Sequence, residues 1–226
     1  MRTAIVTLAL LGLAGCAQTE QATPSNIRQD AFLGDYSQLT ETNDPKLAYL
    51  RYVDTTAPWS RFTNVRLEPV TYWAAKDDTI PTSVQQALCD YAYQKAAEQL
   101  TAKGFQLVET SGSDVVVIRA ALLDATAATP VLRTISIVVP TVRLLQVARK
   151  QLTDSYSFTG SLQTEGEVEE SLTGKRLAAW VDRREGGMSI KNVAVWKWGD
   201  AENSINYWAA ALAERLRAQT TAELGK

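Results

Sequence analysis

The sequence predicts an α+β domain: a two-layer sandwich in which a mixed, largely antiparallel sheet carries two long helices on one face. Three observations lead there. The stretches 82–103 and 200–217 repeat apolar residues at helical spacing along one side only. Several shorter stretches alternate apolar and polar residues, or are apolar throughout, at the lengths of strands. The elements run strand, helix, strand, strand, covering segment, strand, strand, helix, and no G-x-G-x-x-G phosphate loop accompanies them.

The chain opens on Met1-Arg2-Thr3, with one positive charge, followed by the apolar run Ala4 to Leu13 and a small-residue end at Ala14-Gly15-Cys16. That is the anatomy of an export signal. Leu13-Ala14-Gly15-Cys16 resembles the lipobox of bacterial lipoproteins, which implies a cut after residue 15 and a lipid on the Cys16 thiol. The alternative is an ordinary signal peptide that happens to contain a cysteine. The apolar run falls short of the ~20 residues that span a bilayer. Residues 1–15 are therefore expected to be the signal, and 16–30 (with Pro24, polar and aperiodic) a lipidated cysteine and flexible tether. Residues 31–226 are expected to form a single periplasmic domain. Ala17 and Gln18, not an aspartate, follow the cysteine. Among Gram-negative lipoproteins that pattern resembles export to the outer membrane, facing the periplasm.

Phe32 to Ser37 opens the ordered part, and Leu47, Tyr49, Leu50 and Tyr52 follow as an apolar stretch. Asn64 to Val70 alternates as a strand that Pro69 must end or bulge, because proline donates no ladder hydrogen bond. A helix over 82–103 places Val84, Leu88, Ala92, Ala96 and Leu100 on one stripe, with Ser83 and Gln86 as a capping box and Gly104 as its C-terminal cap. Phe105 to Glu109 reads as a strand. Asp114 to Leu123 is apolar on both faces and reads as a central strand. Val131 to Leu152 is apolar but broken by Arg133, Pro140 and Arg143, so it reads as a cover for the sheet or as a surface that meets membrane or another subunit. After a stretch Met188 to Trp198, readable as strand or loop, Asp200 N-caps the last helix. Its stripe is Ile205, Trp208, Ala209, Leu212 and Leu216.

Residues 160–187 read as a hairpin around Thr173-Gly174. If one face is buried and the other wet, the register pairs Ser171 with Arg176, Val168 with Ala179, and Gly166 with Val181. The other face then carries Glu165, Glu167, Glu169, Trp180 and Asp182, with Glu165 opposite Asp182. Like charges so placed are unfavourable by roughly 0.2–1 kcal/mol. A nearby Arg183 or Arg184, solvent ions or a partner would offset that. Glu165, Glu167, Trp180 and Asp182 are thus the candidate partner-contact residues, Trp180 because an aromatic ringed by polar groups is typical of binding surfaces.

Composition narrows the chemistry. The 226 residues contain no histidine, which removes His-based acid/base catalysis and most zinc sites. Removing Arg2 with the signal leaves 22 Lys and Arg against 25 Asp and Glu, a net charge of −3. No nucleic-acid partner is expected from that balance. With Cys16 lipidated, Cys89 has no disulfide partner and reads as a small buried apolar residue. Tyr91 and Lys95 have the Tyr-x-x-x-Lys spacing of some dehydrogenases but no phosphate loop beside them. No catalytic, metal or cofactor site is expected.

Several stretches in order resemble one family: Phe32-Leu33-Gly34-Asp35-Tyr36-Ser37, Arg51-Tyr52-Val53-Asp54, Leu67-Glu68-Pro69-Val70, and Gly166 to Glu170 followed by Leu172 to Ala179. Val181-Asp182-Arg183-Arg184, Trp198-Gly199-Asp200 and Tyr207-Trp208-Ala209 continue the series. Together they are similar to the proteobacterial lipoprotein family named domain of unknown function 3313. The resemblance implies a lipid anchor and one domain, and carries no catalytic residue with it.

Three functions compete on these grounds. The favoured one is a lipid-anchored envelope lipoprotein without catalytic activity, binding an envelope protein or glycan or supporting its assembly. The second is an oligomeric, membrane-associated assembly using 131–152. The third is a carboxylate-based enzyme working through Glu165, Glu167 or Asp182.

Overall fold

The computed structural model describes residues 19–22, 27, 32–74, 78, 80–124, 161–186 and 199–222. Cys16, the signal, most of the expected tether, segment 131–152 and stretch 188–198 lie outside the described residues. The elements are β1 (Thr19–Gln21), β2 (Thr40–Glu41), β3 (Leu50–Val53), a 3₁₀ turn (Trp59–Arg61), β4 (Asn64–Leu67) and β5 (Thr71–Trp73). They continue as α1 (Thr82–Ala102), β6 (Gln106–Leu107), β7 (Val115–Asp124), β8 (Ser161–Glu170), β9 (Arg176–Gly186) and α2 (Gly199–Ala222).

The strands make one mixed, mostly antiparallel sheet in the order β2-β3-β9-β8-β7-β4-β6. β1 lengthens the β3 edge by pairing with the far end of β9, and β5 continues β4 along β7. Pro69 lies in the gap between β4 and β5, where a missing amide donor costs no ladder bond. β7 sits between β8 on one side and β4 and β5 on the other, and Val115 to Ile118 and Ala121 to Leu123 are all buried. Central placement explains why that strand is apolar on both faces.

Both helices lie on one face of the sheet. Under them, Val65, Val116, Ile118, Val168, Leu177 and Leu216 form one cluster, and Tyr72, Leu88, Cys89, Leu122, Leu162 and Ile205 another. Gly104 takes φ +87° just past α1, the left-handed geometry that glycine reaches without strain. The expected capping box does not form. Pro81 holds the N-cap position, and Gln85 instead donates to the Ile80 carbonyl at 2.9 Å. α2 begins at Gly199, so Asp200 falls within its first turn and not ahead of it.

The opposite face is covered as well. Leu33, Leu50, Ala179 and Val181 form a third cluster, with Ile27, Phe32 and Tyr36 packed on it. Phe32 meets Trp73 edge-on at 5.6 Å between ring centres. The stretch around 32–36 therefore straps across the sheet from β5 to β9. Thr19–Gln21, expected to belong to the tether, is a strand paired with Arg184–Gly186, and the Ala22 amide donates to the Arg183 carbonyl at 2.9 Å. The exposed backbone edge of β9 gives it the partners that a free polar segment would find only in water.

The β8–β9 register differs from the one expected. The turn closes with Glu170 and Lys175 bonded across a four-residue loop, and Gly174 sits at φ +69°. A bulge between Val168 and Glu169 then slips the ladder by one residue. Glu165 faces Val181, Gly166 faces Trp180, and Glu167 faces Ala179. A single-residue slip exchanges the faces of every residue beyond it. The expected pairing assumed one wet face; with helices on one side and a strap on the other, the hydrophobic pattern no longer selects between the two registers.

Two predictions follow from this packing. A Cβ built on Gly166 would lie 2.1 Å from the Trp180 ring. Gly166→Ala should lower stability by about 1–3 kcal/mol in urea unfolding, and by less when Trp180 is also cut to alanine; equal losses in both backgrounds would place the ring elsewhere. Asp54 receives Lys175 Nζ at 2.7 Å and the Thr56 hydroxyl and amide at 2.6 and 2.8 Å. Lys175 first, then Thr56, hold its carboxyl down at about 2. Its folded-state value lies below the ~3.9 of a free aspartate, so its stabilising effect is full above about pH 4 and fades as pH falls toward 2. Asp54→Asn should flatten that part of an acid-unfolding profile, and an unchanged profile would contradict the pairing.

Candidate functional site

The four residues expected to share one face are divided by the sheet. Glu165 and Glu167 point to the strap side, and Trp180 and Asp182 point to the helix side. The three acids are not part of a wet surface, Glu165 and Asp182 being buried to 0% and 1% exposure and Glu167 buried too, while Trp180 is half-buried against the helix-side core.

On the strap side the glutamates are structural. Glu165 accepts the Tyr36 hydroxyl and Gln163 Nε2. Arg176 donates Nε to Glu167 at 2.9 Å and its two terminal nitrogens to the Asp35 and Leu33 carbonyls at 2.6 and 2.7 Å. Arg119 bridges Glu167, at 3.2 Å, and Glu169. The expected clash of Glu165 against Asp182 does not arise, because they are neither opposite nor on one face. The negative row is matched by Arg119 and Arg176 and tied to the strap.

On the helix side Asp182 is the hub. Its Oδ1 accepts Gln21 Nε2 at 3.1 Å and the Tyr49 amide at 3.3 Å; its Oδ2 accepts Arg184 Nε and the Trp208 indole N–H, each at 2.8 Å. Four donors from β1, the loop before β3, β9 and α2 fill the lone-pair directions of one carboxylate. Arg184 also donates to the Pro45 carbonyl at 2.8 Å and stacks on the Tyr207 ring at 3.9 Å. Tyr207 reaches the Lys46 carbonyl at 2.6 Å. Arg184 appears in the sequence only as one possible charge partner, and nothing local marks Gln21 or Trp208 for this cluster. The polar N–H of a tryptophan on an apolar helix stripe is the one signal, since a buried indole needs an acceptor.

Beside Asp182, a cavity of about 210 Å³ runs between α2 and the floor of β3, β9, β8 and β7. Ile118, Val168, Trp180, Trp208 and Leu212 make most of its character, and Arg51 and Arg215 also line it. An engineered apolar cavity of ~150 Å³ already holds benzene. This one is concave and mainly apolar, with a few polar groups at fixed places, which is the general make-up of small-molecule sites.

The other sequence candidates do not join a site. Cys89 is fully buried, and burial, with Asp90 beside it, pushes its thiol well above the usual range, so it is no nucleophile at neutral pH. Tyr91 donates to Asn206 at 3.0 Å, while Lys95 pairs with Glu98 at 2.7 Å. Among the described residues there is no group of three or more acidic or Cys side chains placed to hold a metal, and no helix is long and apolar enough to cross a membrane.

Fold and site thus define a two-layer α+β domain with a buried ionic hub and an apolar interlayer cavity. The chain belongs to the family described as protein of unknown function DUF3313, whose model matches residues 28–212. No match is found among curated proteins. Among solved structures it is similar to the PelC dodecamer from Paraburkholderia phytofirmans, at 12% identity and a TM-score of 0.38, covering 79% of this chain and 96% of that one. It is also similar to a DUF4136 family protein from Bacteroides thetaiotaomicron, at 14% identity and a TM-score of 0.37, covering 74% of this chain and 96% of that one.

Asp182→Asn should cost about 3–5 kcal/mol in urea unfolding, because it leaves the Arg184 guanidinium, 3% exposed, buried without its charge partner. A loss under about 1 kcal/mol would show the hub to be wet or open.

Proposed function

We propose that the protein is a lipid-anchored envelope lipoprotein, held at the periplasmic face of the outer membrane through Cys16, whose single domain is a non-catalytic binding module. The observation that carries the reading is Leu13-Ala14-Gly15-Cys16 placed just ahead of the domain, with β1 starting at Thr19. Two residues lie between the anchor and the first strand, three Cα steps or about 10 Å when extended, so the domain would sit close to the lipid surface. Family membership is compatible with this and names no activity. The carboxylates that an enzyme would use are engaged in structural bonds: Asp182 with four donors, Glu167 with two arginines. That supports binding over turnover. A well-formed interlayer cavity gives such a module something to bind with.

Cys16→Ser should abolish incorporation of labelled fatty acid and move the protein from the membrane to the soluble fraction. Labelling that persists in the variant would overturn the anchor. Photo-crosslinking from Trp180 in intact cells tests the module itself: capture of one reproducible envelope component is expected, and turnover of a substrate at a rate that follows Glu167 or Asp182 would contradict it.

A further inference from the structure

We propose that the cavity under α2 binds a single-chain anionic amphiphile of the fatty-acid type, with hydrocarbon inside and the acidic head at Arg51 and Arg215. This deepens the binding-module reading and rests on it.

The interior asks for hydrocarbon. Its walls are mainly aliphatic and aromatic side chains, and the two buried polar side chains among them, Thr164 and Asp182, are already satisfied. Thr164 donates its hydroxyl to the Ala121 carbonyl at 3.0 Å, and Asp182 takes its four donors. A ligand group there gains by dispersion and by leaving water, and loses nothing by lacking donors. Gly166 carries no Cβ, and one built there would fall 2.1 Å from the Trp180 ring, so the ring rests directly on the β8 backbone.

The rim asks for an anion. Arg51 and Arg215 are both half-buried, so they mark where the cavity meets solvent. Arg51 lies beside Trp180 on the floor, as its cross-strand neighbour. Among the described residues the Arg51 side chain has no hydrogen-bond or carboxylate partner, although its carbonyl accepts the Thr40 hydroxyl at 3.3 Å, and the Arg215 side chain donates to the Lys46 carbonyl. Other arginines of this sheet are differently placed: Arg66, Arg119, Arg176 and Arg184 each have a carboxylate, and buried Arg183 donates to the Ser161 hydroxyl. Two cations left without anionic partners, in a mature chain of net charge −3, fit a carboxylate or similar head through charge-assisted bonds. The volume suits a short chain or the inner part of a longer one.

The test uses the full chain from position 16, carrying Cys16→Ser so that no detergent competes, titrated by calorimetry with sodium decanoate below its micelle concentration. Saturable binding of one decanoate per chain is expected, with a negative heat-capacity change from apolar burial. Replacing both rim arginines (Arg51→Gln with Arg215→Gln) should weaken it about tenfold or more. Leu212→Trp, which fills the cavity, should abolish it. Decanol, lacking the charge, should bind alike to the parent chain and the double variant. Absence of saturable binding overturns the inference, as does binding unchanged in the rim variant when that variant unfolds cooperatively at the parent temperature. The rim substitutions are at partly exposed positions, so they decide the matter if Leu212→Trp fails to fold. Either negative result leaves the Cys16 labelling and fractionation untouched, and so fails separately from the anchored-module reading.

Discussion

One carboxylate holds the layers of this domain in place. Asp182 on β9 takes donors from β1, from the loop before β3, from its own strand and from α2, and it does so without access to water. A buried charge is tolerated only when paired and fully hydrogen-bonded. Its position is therefore demanding: shift α2 along the sheet, or detach β1, and a donor is lost where no water replaces it. Hydrophobic burial supplies the bulk of the driving force for the sandwich, but it is not directional. The Asp182 hub fixes the relative placement of elements that burial alone would let slide.

That constraint also shapes the space beside it. α2 is held by Trp208 to the hub and by Tyr207 and Arg215 to the loop at 45–47, and it packs on the sheet through Ala213 and Leu216. The cavity runs along the same stretch of α2, lined by Ile205, Trp208, Leu212 and Arg215. On the other face Arg176 plays a similar part with the strap, fastening residues 33–35 to Glu167. Both faces of β8 and β9 are thus covered, which is why a strand written as alternating glutamates lies inside the protein.

Much of the fold is legible in the sequence because it follows from periodicity. The four-residue stripes of α1 and α2, the proline break after β4, the two-sided apolar run of β7 and the glycine stop of α1 each report a local physical cause. What escaped is non-local. The bulge at Val168 and Glu169 leaves no mark in composition, yet it exchanges the faces of β8 relative to β9 and separates Trp180 and Asp182 from Glu165 and Glu167. The burial of the glutamate row depends on a strap more than a hundred residues away in sequence. β1 hides in a polar stretch because its ladder bonds come from the backbone and not from apolar side chains. The candidate site was legible in part: Asp182 was singled out, but as an exposed acid and not as a hub. The cavity arginines, Arg51 and Arg215, come to line one space only when β3 and α2 are brought together.

The most direct test is amide hydrogen exchange on the chain from residue 16 onward, read at residues 19–22 and along β9, in the native protein and in Asp182→Asn. Protection at 19–22 within reach of that in β9, lost together with that of the 45–49 loop when Asp182 is changed, is the result expected of a hub that joins the first strand to the helix layer. Free exchange at 19–22 in the native protein, or equal protection in both proteins, would contradict it.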